Sequence, residues 1–213
     1  MLNITRAKKV KQKNYNPLLA AAPLQMLHLD VTIHRLQNGT KVYLHVIRDN
    51  FSKAILACKA AVNCCSQNTK EILEEVLFKY NLLDKQGTLI TDDGSENKGA
   101  LQKWINKPGM LWKKLIAQLD IVQSNSMVEA ANKILKYRFL YHRIFETITQ
   151  LQLALPDILK EYNNMPLGCL FGFTPNEVLS GKMPDKKNFT EEIAHAKKLR
   201  LKVNQKIICE NTC

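Results

Sequence analysis

The strongest constraint on the fold is a change of hydrophobic period between residues 24 and 83. Within residues 24–33, apolar and polar side chains alternate from Leu27 onwards, which predicts a half-buried strand. One face carries Leu27, Leu29, Val31 and Ile33, and the other carries His28, Asp30 and Thr32. The Asn38-Gly39 pair then favours a two-residue hairpin turn in which both residues take positive φ angles. With further strand candidates at residues 41–48 and 53–62, we expect a meander of three antiparallel strands.

Residues 69–83 follow the spacing of a helix instead. Apolar residues recur on one helix face at Ile72, Leu73, Val76, Leu77, Tyr80 and Leu83. A short strand over residues 86–91 follows and ends at Asp92. Because a crossover helix joins parallel strands of one sheet, this strand should lie parallel to the first strand. Asp92 would then emerge beside Asp30.

The second half of the chain predicts mainly helices. They are expected at residues 98–106, at about 125–145 with an apolar stripe of Val128, Ala131, Leu135 and Phe139, and from Pro156 to about Asn164. Thr174 as cap and Pro175 at the first position predict another helix, and residues 190–213 are a candidate basic amphipathic helix. Ile121 and Val122 are expected to form a last short strand. The predicted class is therefore α/β, with a mixed five-stranded sheet (three antiparallel, then parallel strands) flanked by helices.

Three carboxylates occupy element ends in this scheme. Asp30 lies in the first strand, Asp92 ends a later strand, and Glu129 lies near a helix start, with 36 residues between Asp92 and Glu129. Carboxylates are preferred ligands of Mg²⁺, so we hypothesise that the three form one metal site. Each also has a structural interpretation. Asp30 would be an exposed strand residue, Asp92 or Asp93 a turn residue, and Ser126-x-x-Glu129 a capping box.

Four segments occur in the order that characterises a known family. They are LHLDVT with Asp30, LITDDGSEN with Asp92, SNSMVEAANKILK with Glu129, and EYNNMPLGCLFGFTPNEVLSG downstream. Together they cover roughly residues 22 to 183 and resemble the catalytic core of retroviral integrases and bacterial insertion-sequence transposases. The resemblance implies a ribonuclease H-like fold.

The resemblance also implies an activity, which is metal-dependent cleavage of DNA and transfer of the new 3′-hydroxyl to target DNA. Asp30, Asp92 and Glu129 would be the catalytic residues and the ligands of two Mg²⁺ ions, for which Mn²⁺ can substitute. Asp92 is preferred over Asp93 because it ends the strand and lies two positions before Gly94, as the family's acid does. The alternatives are a ribonuclease H-like metal nuclease and an inactive remnant that only binds DNA.

The formal net charge of +12 favours a polyanionic partner. Lys133 and Lys136 share a helix face with Glu129, and the resemblance implies that they contact DNA. Charges on a helix surface more commonly pair with one another. Residues 1–22 form a predicted basic arm ahead of the core at residues 23–183 and the basic helical tail at residues 184–213. The arm either is solvated or tracks phosphates. Its candidate DNA-binding residues are Lys8, Lys9 and Lys11.

The expected partners are the element ends, the target DNA and further copies of the chain. Too few residues precede Pro23 to form the helix-turn-helix that recognises DNA ends in the family. We therefore expect a partner chain or a longer product that carries it, as in a second-frame product of an insertion sequence. No apolar run approaches the length of a membrane span, so a cytoplasmic, nucleoid-associated bacterial protein is expected. The six cysteines form no C-x-x-C pair, which predicts reduced thiols and no structural zinc.

Several other residues are interpreted as structural. His28 and His45 are expected to be strand residues, and Trp104 and Trp112 to be core residues. Packing and loop geometry are the roles expected of residues 162–164. Three positions depart from the residues common in the family: Leu27 replaces tryptophan, Met165 replaces arginine and Leu167 replaces histidine. Of these, the change at Met165 alters the DNA contacts expected there.

Overall fold

The computed structural model describes residues 18–121 and 125–210. Its centre is a mixed five-stranded sheet in the order β3-β2-β1-β4-β5. The strands are β1 (Met26–Arg35), β2 (Lys41–Asp49), β3 (Ile55–Ala61), β4 (Gly87–Thr91) and β5 (Trp112–Ile116). β1, β2 and β3 pair antiparallel, whereas β1 with β4 and β4 with β5 pair parallel. The predicted mixed sheet is confirmed, with β1 at its centre.

Helices cover both faces of the sheet. The described helices are α1 (Ser66–Lys79), α2 (Ala100–Ile105), α3 (Ser126–Ile134), α4 (Ile148–Asn163), α5 (Pro175–Leu179) and α6 (Thr190–Glu210), and the first four pack on the sheet. A π-helical turn at Leu135–Leu140 continues α3. One core cluster packs α1 and α2 against Leu27, Leu29 and Trp112, and a second packs α3 and α4 against β2. The predicted stripe on α3 is buried, and so are both tryptophans.

The hairpin between β1 and β2 is longer than predicted. Its loop spans residues 36–40, and the amide of Gly39 donates to the carbonyl of Leu36 at 2.9 Å. Only Gly39 has a positive φ, of 82°, whereas Asn38 is absent from the positive-φ residues of the described chain. The Asn38 side chain instead accepts from the amide of Thr40 at 3.0 Å. The prediction of a two-residue turn was therefore wrong, although the antiparallel pairing was correct.

The last strand was also placed wrongly. β5 is Trp112–Ile116, while Ile121 forms only an isolated bridge with Ala117 and Val122 lies outside the described residues. Trp112 anchors β5 because its indole nitrogen donates to the carbonyl of Leu82 at 3.0 Å. The alternation signal is weak because this edge strand carries Lys113 and Lys114 in succession.

The helix near Pro156 begins earlier than expected. α4 starts at Ile148, where Thr147 and Gln150 form a capping box, and Pro156 lies inside the helix. The predicted capping of α5 by Thr174 is confirmed, with Glu177 as its reciprocal partner. None of the described helices is both long enough and apolar enough to cross a membrane.

Candidate metal and nucleic-acid site

The sheet register brings Asp30 and Asp92 to the same level. β1 and β4 pair in parallel up to His28 opposite Ile90, and each aspartate lies two residues further along its own chain. Asp30 is still within β1, and Asp92 directly follows β4. Asp30 and Asp92 therefore occupy equivalent positions on two neighbouring parallel strands, in agreement with the expectation that Asp92 emerges beside Asp30.

The electrostatics of Asp30 link it to the other two acids. Burial, the largest cause, and the negative charges of Asp92 and Glu129 together raise the pKa of Asp30 to about 6, against hydrogen bonds from the Val31 backbone and Asn132. Asp30 and Glu129 also line one cleft of about 350 Å³, together with Thr32, Asn132, Lys133, Lys136, Tyr137 and Tyr141. Asp30 therefore lies within reach of the charges of two other carboxylates, which favours either protonation of Asp30 or a bound cation.

Asp92 and Asp93 have different surroundings. The Asp92 carboxylate accepts from the side-chain amide of Asn97 at 2.6 Å and from the amide of Gly94 at 3.2 Å. Asn97 is itself held from β5, where Lys114 donates to its carbonyl at 2.6 Å. Asp93 points elsewhere and pairs with exposed Lys98 at 2.9 Å. This arrangement supports Asp92 over Asp93 as the site residue.

Glu129 does not act as a helix cap. The N-cap of α3 is Asn125, and no side chain caps this end by a hydrogen bond. The alternative capping box of Ser126 with Glu129 is therefore not formed. Glu129 is an exposed side chain in the first turn of α3 and faces the cleft that Asp30 lines.

A buried hydrogen-bond network fixes the start of α3 against β1. The Asn50 side-chain amide donates to His28 Nε2 at 2.9 Å, so the other ring nitrogen of His28 carries the proton and donates to Asn125 Oδ1 at 2.8 Å. Asn125 donates in turn to the carbonyl of Leu29 at 3.0 Å. Burial, the largest cause, together with the positive charges of Arg48 and Lys53, lowers the pKa of His28 to about 4, against the effect of the hydrogen bond that His28 donates to Asn125. The ring stays neutral at physiological pH, as this network requires.

Arg48 makes a second connection to the same helix. It is 4% exposed, and its guanidinium donates to the carbonyl of Met127 in the first turn of α3. It also donates to the carbonyl of Lys53, in the connection between β2 and β3, at 2.9 Å. Burial lowers the pKa of Arg48 despite the nearby Tyr162 hydroxyl, Cys169 and Asp49. Two independent contacts from the sheet thus position the helix turn that carries Glu129.

The donor set fits a hard divalent cation. Within residues 18–121 and 125–210, no three His, Cys, Asp or Glu side chains are close enough to enclose a metal as they stand. Asn132 donates to Asp30 Oδ2 at 2.7 Å, while its own buried Oδ1 has no hydrogen-bond partner in the described chain. An unpaired amide oxygen on a residue bonded to Asp30, together with the oxygens of Asp30, Asp92 and Glu129, supplies donors of the all-oxygen type that Mg²⁺ or Mn²⁺ prefers.

The lysines expected to contact DNA divide into two groups. Lys133 is exposed and Lys136 is half-buried, and both line the cleft beside Asp30 and Glu129. Burial lowers the pKa of Lys136, whereas the charge of Asp30 raises it. The other three, Lys8, Lys9 and Lys11, lie outside the described residues.

Sequence reasoning missed the residues that position the acids, namely Asn97, Asn125, Asn132 and Arg48. Asn132 had a usable signal, because it follows Glu129 by three positions and so shares its helix face. Residues 162–164 have the structural roles expected of them. Tyr162 is fully buried, and the Asn163 side chain bonds both the amide and the carbonyl of Ile55.

Comparison with known proteins places this fold beside retroviral integrase cores. A chain of a simian T-cell lymphotropic virus intasome aligns with a TM-score of 0.63 and 19% identity, over 78% of this chain and 58% of that one. The HTLV-2 integrase catalytic core domain in complex with magnesium aligns with a TM-score of 0.54 and 20% identity, over 74% and 97% of the two chains. For the BIV integrase core the TM-score is 0.52 and the identity 17%, over 82% and 98%.

The likeness is one of structure. No protein-family profile and no curated protein sequence matches the chain. This chain spans little more than half of the intasome chain that it matches, at 58%. The fold is the ribonuclease H-like fold of integrase catalytic cores, as the sequence motifs implied.

Proposed function

We propose that this chain is the catalytic core of a bacterial insertion-sequence transposase, which cuts DNA at element ends and joins the new 3′-hydroxyl to target DNA. The observation that carries the proposal is the cleft in which Asp30 and Glu129 lie beside Lys133 and Lys136, with Asp92 at the equivalent position on the neighbouring strand. The charges of Asp92 and Glu129 also help to raise the pKa of Asp30. Placing acids from two parallel strands and a helix near one another is unfavourable because their charges repel, and the fold itself does not require this placement. A need to bind cations would explain it.

Asp30, Asp92 and Glu129 are the residues that would hold two Mg²⁺ ions. The structurally similar HTLV-2 integrase core is a complex with magnesium, which supports this choice of metal. Bound divalent cations supply activation of the attacking hydroxyl and stabilisation of the leaving oxygen in phosphoryl transfer. Asn132 fixes the orientation of the Asp30 carboxylate through its 2.7 Å hydrogen bond. Lys133 and Lys136 line the same cleft and would hold the DNA phosphates on either side of the reacting bond.

The assembly follows from the same proposal. The chain would act as a homo-oligomer on DNA, in the manner of an intasome, with end recognition supplied by a partner chain or by a further region containing a helix-turn-helix. The residue ranges 1–22, 23–183 and 184–213 would serve as basic arm, catalytic core and basic helical tail. A bacterial cytoplasmic location, at the nucleoid, suits this role.

A strand-transfer assay tests the activity. An end-labelled duplex oligonucleotide with a free 3′-hydroxyl is incubated with supercoiled plasmid in Mg²⁺ or Mn²⁺. We expect labelled plasmid from the wild-type chain and, from Glu129→Gln, less than about one hundredth as much, since small displacements of reacting groups cost about that factor. Glu75→Gln is the matched control, because Glu75 is an exposed glutamate of α1 on the opposite face of the sheet.

Two results would contradict the proposal. Equal transfer by the Glu129→Gln variant and the wild type would remove Glu129 from the chemistry. Cleavage of an RNA–DNA hybrid without any strand transfer would favour a ribonuclease H-like nuclease built on the same acids.

Metal binding gives a test that needs no DNA. Adding Mn²⁺ should raise the thermal unfolding midpoint of the wild-type chain. At a Mn²⁺ concentration of one hundred times the dissociation constant, binding adds about 2.7 kcal/mol to the free energy of unfolding. The Asp92→Asn variant should gain much less, because it has lost one ligand, whereas Asp93→Asn should respond like the wild type. Equal responses of Asp92→Asn and the wild type, measured by differential scanning fluorimetry, would exclude Asp92 as a ligand.

A further inference from the structure

A second cavity adjoins the carboxylate cleft and is distinct from it. This side pocket has a volume of about 580 Å³ and is lined by Lys133, Ile134, Tyr137, Arg138, His142 and residues 165–168. Lys133 and Tyr137 also line the carboxylate cleft, so they form the wall between the two spaces. A ligand in the side pocket would therefore lie directly beside a group held at Asp30 and Glu129.

The walls of the side pocket combine a flat apolar surface with positive charge. Ile134, Met165 and Leu167 supply apolar contacts, and Lys133 and Arg138 supply cations. Neither cation pairs with a carboxylate in the described part of the chain, and no acid is among the lining residues. The charge complements an anion, while the apolar wall suits a planar, weakly polar group.

Tyr137 is the surface on which such a group would stack. Its side chain is 66% exposed, and its ring meets that of Tyr141 edge to face at 5.1 Å, which supports it from one side. It projects from the π-helical turn that continues α3, and wide turns of this kind are frequent at functional sites. Lys133 precedes Tyr137 by four positions, so the two side chains lie on the same helix face.

We propose that the side pocket binds one unpaired nucleotide of the DNA strand whose phosphate lies at the carboxylates. The base stacks on Tyr137 against the apolar wall, and its phosphate lies between Lys133 and Arg138. Aromatic stacking combined with cations is the way in which proteins hold unpaired bases. The identity of the bound polymer rests on the proposed function, whereas the pocket chemistry stands on the contacts described here.

The test uses DNA binding without catalysis. A duplex oligonucleotide with a short single-stranded overhang containing 2-aminopurine is titrated with the full chain in EDTA, and both fluorescence quenching and anisotropy are recorded. We expect the wild type and Tyr137→Phe to quench the probe. Tyr137→Leu should lose the quenching and bind the overhang DNA roughly 5- to 150-fold more weakly, the range that stacking of one base contributes. Binding of a blunt duplex should change less than twofold.

Phe78→Leu is the matched control, since Phe78 is 76% exposed on α1, on the other face of the sheet. Quenching by Tyr137→Leu equal to the wild type, or no quenching by the wild type, would overturn the inference. The two proposals fail separately. A chain that performs strand transfer but quenches independently of Tyr137 has no such pocket, and a chain that quenches through Tyr137 but transfers no strand is not a transposase.

Discussion

Replacing Asp30 by asparagine is expected to abolish metal-dependent strand transfer and also to make the protein more stable at neutral pH. Activity should fall more than about a hundredfold, because one cation ligand loses its charge. The gain in stability has a different origin. Burial and the charges of Asp92 and Glu129 raise the pKa of Asp30 from 3.8 to about 6, so the ionised form is disfavoured in the folded state. Asparagine removes that charge and can still accept from Asn132.

The pH dependence follows from the direction of the shift. A carboxyl group whose pKa is higher in the folded state binds its proton more tightly there, so the wild type gains stability as the pH falls from about 6 to about 4. Above pH 6 the wild type should be less stable than Asp30→Asn by roughly 1 to 3 kcal/mol, at 1.4 kcal/mol per pKa unit. The difference should vanish below pH 4, where the aspartate is protonated in both states.

Urea denaturation over a pH series, without metal, measures this difference. Asp93→Asn is the control, because Asp93 is exposed and pairs with Lys98, so its removal should not stabilise the fold. If Asp30→Asn were less stable than the wild type at pH 8, the repulsion inferred among the three acids would be absent. Loss of activity without the gain in stability would then point to a general disturbance of β1.

Changing Asn125 to leucine should have the largest destabilising effect around the site. Asn125 is buried and makes two hydrogen bonds, accepting from His28 and donating to the carbonyl of Leu29. Leucine would leave both partners buried and unpaired, at a cost of about 1 to 3 kcal/mol for each group. We expect the free energy of unfolding to fall by roughly 2 to 4 kcal/mol. Strand transfer should fall more than about tenfold, because the turn that carries Glu129 loses its attachment to β1.

Asn106→Leu separates this effect from a general intolerance of leucine. Asn106 is exposed at the end of α2, and within the described residues its side chain accepts only from Gln102, at 3.0 Å. Chemical denaturation should give nearly the same stability for Asn106→Leu as for the wild type. A change at Asn125 of less than about 0.5 kcal/mol, the range of ordinary surface substitutions, would mean that water replaces the lost hydrogen bonds.

The sequence predicted those parts of the fold that have a regular period. β1, β4 and the stripe on α3 are confirmed because burial on one face selects apolar residues at fixed intervals. β5 was missed because an edge strand with one solvated side tolerates successive lysines at 113 and 114. The start of α4 was missed because Pro156 was taken as a boundary, whereas the capping box at Thr147 begins the helix well before it.

For the candidate site, the sequence predicted the acids but not the residues that orient them. The positions of Asp30 and Asp92 follow from a parallel pairing that the crossover helix implies. The residues that orient the acids could not be found in this way, because their partners are remote in sequence. His28 and Asn125 are 97 positions apart, and Asp30 and Asn132 are 102 apart. A periodicity or motif within a short stretch of sequence cannot indicate a contact between residues so far apart.

The central position of β1 makes the two halves of the site unequal in rigidity. Asp30 is paired with Val46 of β2, in a strand that β4 also pairs just before it, so removing Asp30 from the site requires disruption of the central strand. Glu129 is held instead through a short helix and the side chains of Asn125 and Arg48. Local unfolding of α3 would therefore remove Glu129 from the site first and leave the two aspartates in place. Cation binding and the local unfolding of this helix would then oppose each other.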